Sequence, residues 1–143
     1  MISELEDEIV KEFQLLEGDR EMTVLYVMEL GQKLENMPEE EKTEEALVKG
    51  CQSKVWLTSR LVDGKIYFYA DSNTAITKGL VSLLIRTFSG QSPEAVLRHE
   101  LTFMSRIGMD RFIGTQRSNG FAAMIKQMKR LALASLAKPT VNS

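Results

Sequence analysis

Apolar positions along the chain change their period several times. Ile2, Leu5, Ile9, Phe13 and Leu16 recur near the helical spacing, which predicts a short acidic amphipathic helix broken at Gly18. Asp19 is suited to cap a second helix, in which Met22, Leu25, Tyr26, Glu29, Leu30 and Lys33 alternate faces until Met37-Pro38 ends it. The run EEEKTEEA that follows has no core-forming pattern and reads as a solvated connection or short turn.

Beyond it the period becomes two. Val55, Leu57, Ser59 and Leu61 alternate with Trp56, Thr58, Arg60 and Val62, Asp63-Gly64 intervenes, and alternation resumes from Lys65 to Asp71. Asp-Gly between two such runs predicts a hairpin, because a type I′ turn needs positive φ at both central residues. The register then pairs Val62 with Lys65, Leu61 with Ile66, Ser59 with Phe68 and Leu57 with Ala70. Leu57, Leu61, Ile66 and Phe68 share the face expected to pack on helices, while Trp56, Tyr67 and Tyr69 share the other with Arg60 and Lys65.

Asp71-Ser72-Asn73 is suited to capping, and in the helix after it Ile76, Leu80, Leu83, Leu84 and Phe88 form a stripe broadened by Val81 and Ile85. This helix is expected to be the most buried, and Ser89-Gly90 stops it. Ser92-Pro93-Glu94 opens a short helix, Thr102 to Ile107 makes another turn or two, and Ser118 caps a long helix carrying Phe121, Met124, Ile125, Met128 and Leu131. The tail, residues 139–143 above all, is expected to fray. Helices before and after an antiparallel hairpin make an α+β fold, expected as one domain over residues 1–143 with an acidic helical part at 1–45.

Composition narrows the class. With 143 residues, 43% hydrophobic and 27% charged, the chain is an ordinary globular mix, which excludes collagen, coiled-coil fibre and overall disorder. No apolar run reaches membrane-spanning length, and the acidic N-terminus is unlike a signal peptide, so a cytoplasmic protein without membrane attachment is expected. The net charge of −2 hides an asymmetry: residues 1–45 carry 15 acidic groups against 4 basic ones, and the remainder carries 5 against 14. The basic residues are scattered singly, so no nucleic-acid partner is expected; an acidic helical layer on a mildly basic remainder accounts for the split.

One cysteine and one histidine exclude an internal disulfide and fall short of a zinc site. Cys51 stands in Lys49-Gly50-Cys51-Gln52-Ser53-Lys54, a polar loop before the first strand rather than an apolar stripe. Flanking positive charge favours thiolate, and Gly50 permits unusual backbone or close approach of another chain, so the thiol is read as functional. A protease or acyl transferase needs a histidine base, but His99 has no evident tie to residue 51 and reads as a solvated helix-surface residue. Disulfide exchange within the chain lacks a resolving cysteine. What remains is to accept a group on sulfur and hand it on.

A second polar constellation, Gln116-Arg117-Ser118-Asn119-Gly120, opens the last helix. Helix starts attract anions and Arg117 adds a fixed charge, so these residues are expected to stabilise an anionic Cys51 sulfur if the fold brings them beside it, with Lys49 and Lys54 as competing sources of charge.

GCQSKVWL, the Asp-Gly hairpin, ADSNTAITKGLVSLLIRTFSG and RSNGFAAM resemble, in order and spacing, the SufE family of cysteine desulfuration proteins, over about Phe13 to Leu131. The resemblance implies an IscU-like fold. It also implies that Cys51 takes sulfane sulfur from the persulfide of a PLP-dependent cysteine desulfurase, stimulates that enzyme and passes sulfur toward iron–sulfur cluster assembly. Arg117 is then the basic residue of the cysteine's pocket. The partners implied are a SufS- or CsdA-type desulfurase and a downstream iron–sulfur scaffold; the protein needs no cofactor of its own, the PLP being the partner's. Lys54, Asn73 and Phe121 stand where glutamine, aspartate and leucine are common in the family. The alternative, a non-catalytic assembly scaffold or binding module, would call for more than one thiol. Whether the protein acts as a stand-alone enzyme, and whether it forms a homodimer, stay open.

Overall fold

The computed structural model describes residues 1–137, so the tail at 139–143 lies outside the described residues. Six α-helices surround one two-stranded antiparallel sheet: α1 (Ile2–Gln14), α2 (Arg20–Gln32), β1 (Val55–Val62), β2 (Lys65–Ser72), α3 (Ala75–Phe88), α4 (Pro93–Arg98), α5 (Phe103–Arg106) and α6 (Gly114–Ala137). This is an α+β architecture.

The hairpin forms in the register set by its turn: Val62 pairs with Lys65, Leu61 with Ile66, Ser59 with Phe68 and Leu57 with Ala70. Asp63 and Gly64 both have positive φ, 52° and 78°, as a two-residue primed turn requires. Leu57, Ile66 and Phe68 are buried, but Leu61 is 38% exposed although its cross-strand partner Ile66 is fully buried. Both sheet edges are covered. Val48 donates its N–H to the Val55 carbonyl and Leu57 to that of Ala46, while Ile66 and Gly90 complete the opposite edge through Gln91 and Ile66 carbonyls. Residues 46–48, at the end of a stretch that reads as a solvated connection, thus form a short third rung beside β1.

Helix α3 is the hub, touching α1, α2, β2 and α6. Leu80, Val81, Leu83, Leu84 and Phe88 are all at 1% exposure or less. Its contact with α2 is made backbone to backbone: a Cβ on Gly79 would lie 2.0 Å from the Val27 carbonyl oxygen, and one on Gly31 would lie 2.6 Å from the Gly79 nitrogen. The buried stripe of α2 is accordingly Thr23, Val27 and Gly31, and the larger Met22 and Leu25 face outward. Helical periodicity finds α2, and Tyr26 and Leu30 pack against the core, but small residues at a close crossing carry little hydrophobic signal and its most buried positions go unmarked.

Buried carboxylates lock the acidic N-terminal helices to the rest. Glu6, 2% exposed, accepts from the backbone N–H of Thr102 (2.6 Å) and Phe103 (2.9 Å), and His99 Nε2 lies 2.6 Å from its other oxygen. The carboxylate thereby fills the N-terminal end of α5. His99 is therefore a partner of Glu6 and not the solvated residue expected. Glu12 accepts from Arg86 of α3 and from the Tyr26 hydroxyl of α2. Arg86 holds the Glu12 carboxyl below its ordinary value, and burial together with Glu12 pushes the Tyr26 phenol up to about 12.

Three boundaries differ from the sequence reading. Helix α2 closes at Gln32, ahead of Met37-Pro38. Thr74, not the Asp71-Ser72-Asn73 cluster, stands at the start of α3, because Asp71 is buried in an ion cluster and Asn73 binds the Cys51 loop. Helix α6 begins at Gly114, four residues before Ser118, so Ser118, Asn119 and Gly120 lie inside it.

Two substitutions test this packing. Phe68→Ala should cost about 3–5 kcal/mol, whereas Leu61→Ala should cost less than about 1 kcal/mol, measured by urea unfolding. Gly79→Ala should cost about 3 kcal/mol or more, since the carbonyl it meets belongs to a helix backbone and cannot turn aside.

Candidate functional site

The segment before β1 is built to hold a cysteine against α6. Gly50 has φ +97°, a conformation that a side chain disfavours, and a Cβ there would lie 3.2 Å from the Ala123 side chain. This turn lays Cys51 onto Gly120, where the missing side chain leaves room: a Cβ on Gly120 would be 3.4 Å from the Cys51 sulfur. The thiol donates to the Gly120 carbonyl, Sγ to O 3.4 Å.

The other end of the loop is tied to the corner between β2 and α3. Thr74 and Thr77 hydroxyls lie 2.9 and 3.3 Å from the Ser53 Oγ. Lys54 donates its N–H to Asn73 Oδ1 at 3.0 Å, and Asn73 returns its own N–H to the Lys54 carbonyl. Asp71 anchors that corner. Burial opposes its charge, but N–H groups of Ser72 and Met37 and the Lys78 ammonium outweigh burial and hold its carboxyl below the ordinary value. Lys42 adds a second ammonium at 3.4 Å.

Beside the thiol lies an open cavity of about 390 Å³. One wall is Cys51, Gln52 and Ser53; α3 contributes Thr77 and Leu80; the first turn of α6, Gly114 to Arg117, and then Gly120 and Met124 close it with Ile113. The first N–H groups of an α-helix have no intrahelical acceptor, so the α6 end that attracts anions belongs to residues 114–117. Among the residues expected at the site, the cavity thus gathers Cys51, Gln52, Ser53, Gln116, Arg117 and Gly120. Ser118 and Asn119 are not part of its wall, and Gly50 lies behind the loop against Ala123.

Arg117 is exposed and donates from Nη1 to the Ile113 carbonyl at 3.3 Å. Burial alone pushes the Cys51 thiol above its ordinary value. The Gly120 carbonyl acts in the same direction, since it accepts from S–H and can only repel S⁻. The fold brings Arg117 and the start of α6 into the cavity beside Cys51, but the group in contact with the sulfur is an acceptor, the Gly120 carbonyl, which together with burial favours the protonated thiol.

Thr74, Thr77 and Asn73 are the site residues that sequence reasoning did not single out. Their signal is a run of short polar side chains at a strand-to-helix corner, which reads as capping until the partner loop is placed. Among the described residues no helix is long and apolar enough to cross a membrane.

The thiolate is the form that alkylates, so a raised pKa moves the pH profile of modification upward. Cys51 should reach half its maximal iodoacetamide rate at higher pH than a free cysteine. Ser53→Ala, which frees the loop from Thr74 and Thr77, should bring that pH down by more than Arg117→Ala changes it. A wild-type profile at or below that of free cysteine would mean that positive charge, and not burial, governs the sulfur.

The family model described as "SufE: Fe-S metabolism associated domain" matches residues 7–132. An uncharacterized SufE-like protein of Rhizobium meliloti is 34% identical over 128 residues, covering 86% of this chain and 91% of that protein. One from Rhizobium etli is 37% identical over 131 residues and covers 88% of each. A Synechocystis SufE-like protein is 38% identical over 104 residues, 73% of this chain and 65% of the relative. In fold, the solution structure of a hypothetical protein from Thermus thermophilus superposes with a TM-score of 0.77 at 22% identity, over 94% of this chain and 97% of that one. With its α+β frame and most of its length matched, the chain belongs to the SufE family, whose domain is associated with iron–sulfur metabolism.

Proposed function

We propose that the protein is a sulfur acceptor: Cys51 takes sulfane sulfur from the persulfide of a PLP-dependent cysteine desulfurase and hands it on toward iron–sulfur cluster assembly. The observation that carries this reading is the placement of the chain's one thiol, held by a purpose-shaped loop at the wall of an open cavity. A buried structural cysteine would need neither the positive φ of Gly50 nor a cavity beside it.

The transfer is an exchange at sulfur. Cys51 loses its proton, and its thiolate attacks the outer sulfur of the donor's Cys–S–SH. One S–S bond forms on Cys51 as the donor's breaks, and the donor leaves as a thiolate that takes up the proton, with no net oxidation. The step needs no metal and no second cysteine in this chain.

The loop supports both halves of such a cycle. Closed, it keeps the sulfur half-buried and away from solvent reductants. The contacts that hold it closed are few and weak: one thiol hydrogen bond, two hydroxyl contacts to Ser53 and the Asn73–Lys54 pair. Docking of a partner can exchange them and carry the sulfur outward, where the desolvation that keeps it protonated is relieved. In the cavity, the free N–H groups of the α6 start and Arg117 suit an anionic outer sulfur of the loaded persulfide.

Intact-mass measurement after incubation with a desulfurase and cysteine should show a gain of one sulfur atom, reversed by a reductant and absent in Cys51→Ser. The serine variant should keep its unfolding midpoint and lose stimulation of the desulfurase. Full stimulation by Cys51→Ser would rule the reading out.

A further inference from the structure

Three hydroxyls meet beside the thiol. Ser53, two residues after Cys51, is reached by Thr74 Oγ1 at 2.9 Å and by Thr77 Oγ1 at 3.3 Å. Ser53 and the buried Thr77 line the cavity that Cys51 borders, and Thr74 stands outside it. Among the described residues Ser53 Oγ is the only side-chain oxygen on which two hydroxyls converge.

Counting protons shows what this arrangement offers. A hydroxyl carries one proton and can accept two hydrogen bonds. The two contacts use two of the three protons, and none of the three oxygens donates to another group among the described residues. One proton is left over. With both threonines donating to Ser53, its oxygen has no acceptor position free and the spare proton is its own, on the cavity wall. A hydroxyl that already accepts two hydrogen bonds is also the stronger donor. An anion in the cavity selects this arrangement over the one that leaves the spare proton on Thr74, outside the wall. The other groups facing that space are few: Arg117, from the first turn of α6, is the one charged side chain among the lining residues. Thr77 and Leu80 of α3, and Gly120 and Met124 of α6, carry no titratable group.

We propose that the Ser53 hydroxyl, polarised by Thr74 and Thr77, donates a hydrogen bond to the outer sulfur of loaded Cys51 and holds that sulfur as an anion. The inference rests on the sulfur-acceptor reading and adds a residue that touches the transferred atom. Ionisation of Cys51–S–SH releases one proton to solvent and breaks no other bond. An anionic outer sulfur repels an attacking thiolate, so the donor keeps the sulfur on Cys51 until docking moves the loop. Ser53 thus has a different task in each state: it ties the loop when Cys51 is empty and stabilises charge when Cys51 is loaded.

The test compares Ser53→Ala with Thr74→Val/Thr77→Val in the full chain. Both variants free the loop, and only the first removes the Ser53 hydroxyl. The persulfide is installed without a desulfurase: an aryl disulfide is formed on Cys51, and hydrosulfide then displaces the aryl thiolate to leave Cys51–S–SH. Alkylation by iodoacetamide is followed against pH by intact mass before and after loading, since the anion is the reactive form in both states. Before loading the two variants should share one profile. After loading, Ser53→Ala should reach half its maximal rate at a pH higher than the threonine pair by about half a unit or more, as loss of a hydrogen bond to a charged group requires. Coincident loaded profiles would make Ser53 a loop tie alone and overturn the assignment, as would an equal separation already present before loading. The acceptor reading is judged separately, by loading of the wild type from a SufS-type or CsdA-type desulfurase with cysteine. Loading there beside coincident profiles would overturn the donor and leave the acceptor reading standing. Absence of loading with every desulfurase would overturn both, because the donor would then have no sulfur to serve.

Discussion

The contact between the Cys51 loop and helix α6 governs the chemistry available to this protein. It depends on two missing side chains: Gly50 lets the chain turn with φ +97°, and Gly120 lets the sulfur approach to hydrogen-bonding distance of a helix carbonyl. That carbonyl accepts from a thiol and disfavours a thiolate, and burial adds to the same effect. The contact that positions the sulfur thus also favours its protonated form. Under the proposed sulfur transfer, this contact has to break before Cys51 reacts.

The Cys51 loop rests on a frame with stronger ties than its own. Here the frame is tied by carboxylates that cross between the acidic N-terminal part and the basic remainder. Glu6 binds the α5 start and His99, Glu12 binds Arg86, Asp7 binds Arg106, and Lys42 reaches Asp71. The partly buried members of this set are the stronger ties; the exposed Asp7–Arg106 pair contributes little. Four of the N-terminal acids, Glu6, Asp7, Glu12 and Glu41, are paired across the fold in this way.

The hairpin was legible residue by residue because its period is unambiguous and Asp63-Gly64 fixes the register. The hub helix α3 was equally legible, since its stripe is wide and aliphatic. Faces set by close backbone approach were not: Gly31 and Gly79 leave no hydrophobic signal, so the buried positions Thr23, Val27 and Gly31 of α2 went unmarked. Caps failed for a related reason. Ser118 is a good capping residue by type, but Gly114, with φ +83°, lies where α6 begins, and type preference cannot decide between two acceptable starts four residues apart. For the site, the polar setting of Cys51 and its company with Arg117 could be read from sequence. Glu6 meeting His99, and Ser53 meeting Thr77, depend on pairings 93 and 24 residues apart that no local pattern encodes.

The misplaced helix start has a chemical consequence. Were Ser118 the cap, the free N–H groups would lie around Gly120, next to the thiol sulfur itself, and the resting cysteine would be poised as an anion. With the start at Gly114, those groups line the cavity a turn or more away, while the residue touching the sulfur presents a carbonyl. A persulfide extends the side chain by one sulfur atom, moving its ionisable end away from the Cys51 position. The neutral thiol then fits the Gly120 carbonyl, and an anionic outer sulfur fits the cavity with its helix start and Arg117. Under the proposed transfer, the arrangement distinguishes the empty from the loaded state by where the charge resides: the Gly120 carbonyl meets the thiol before transfer, and the cavity with its helix start and Arg117 meets the outer sulfur after it.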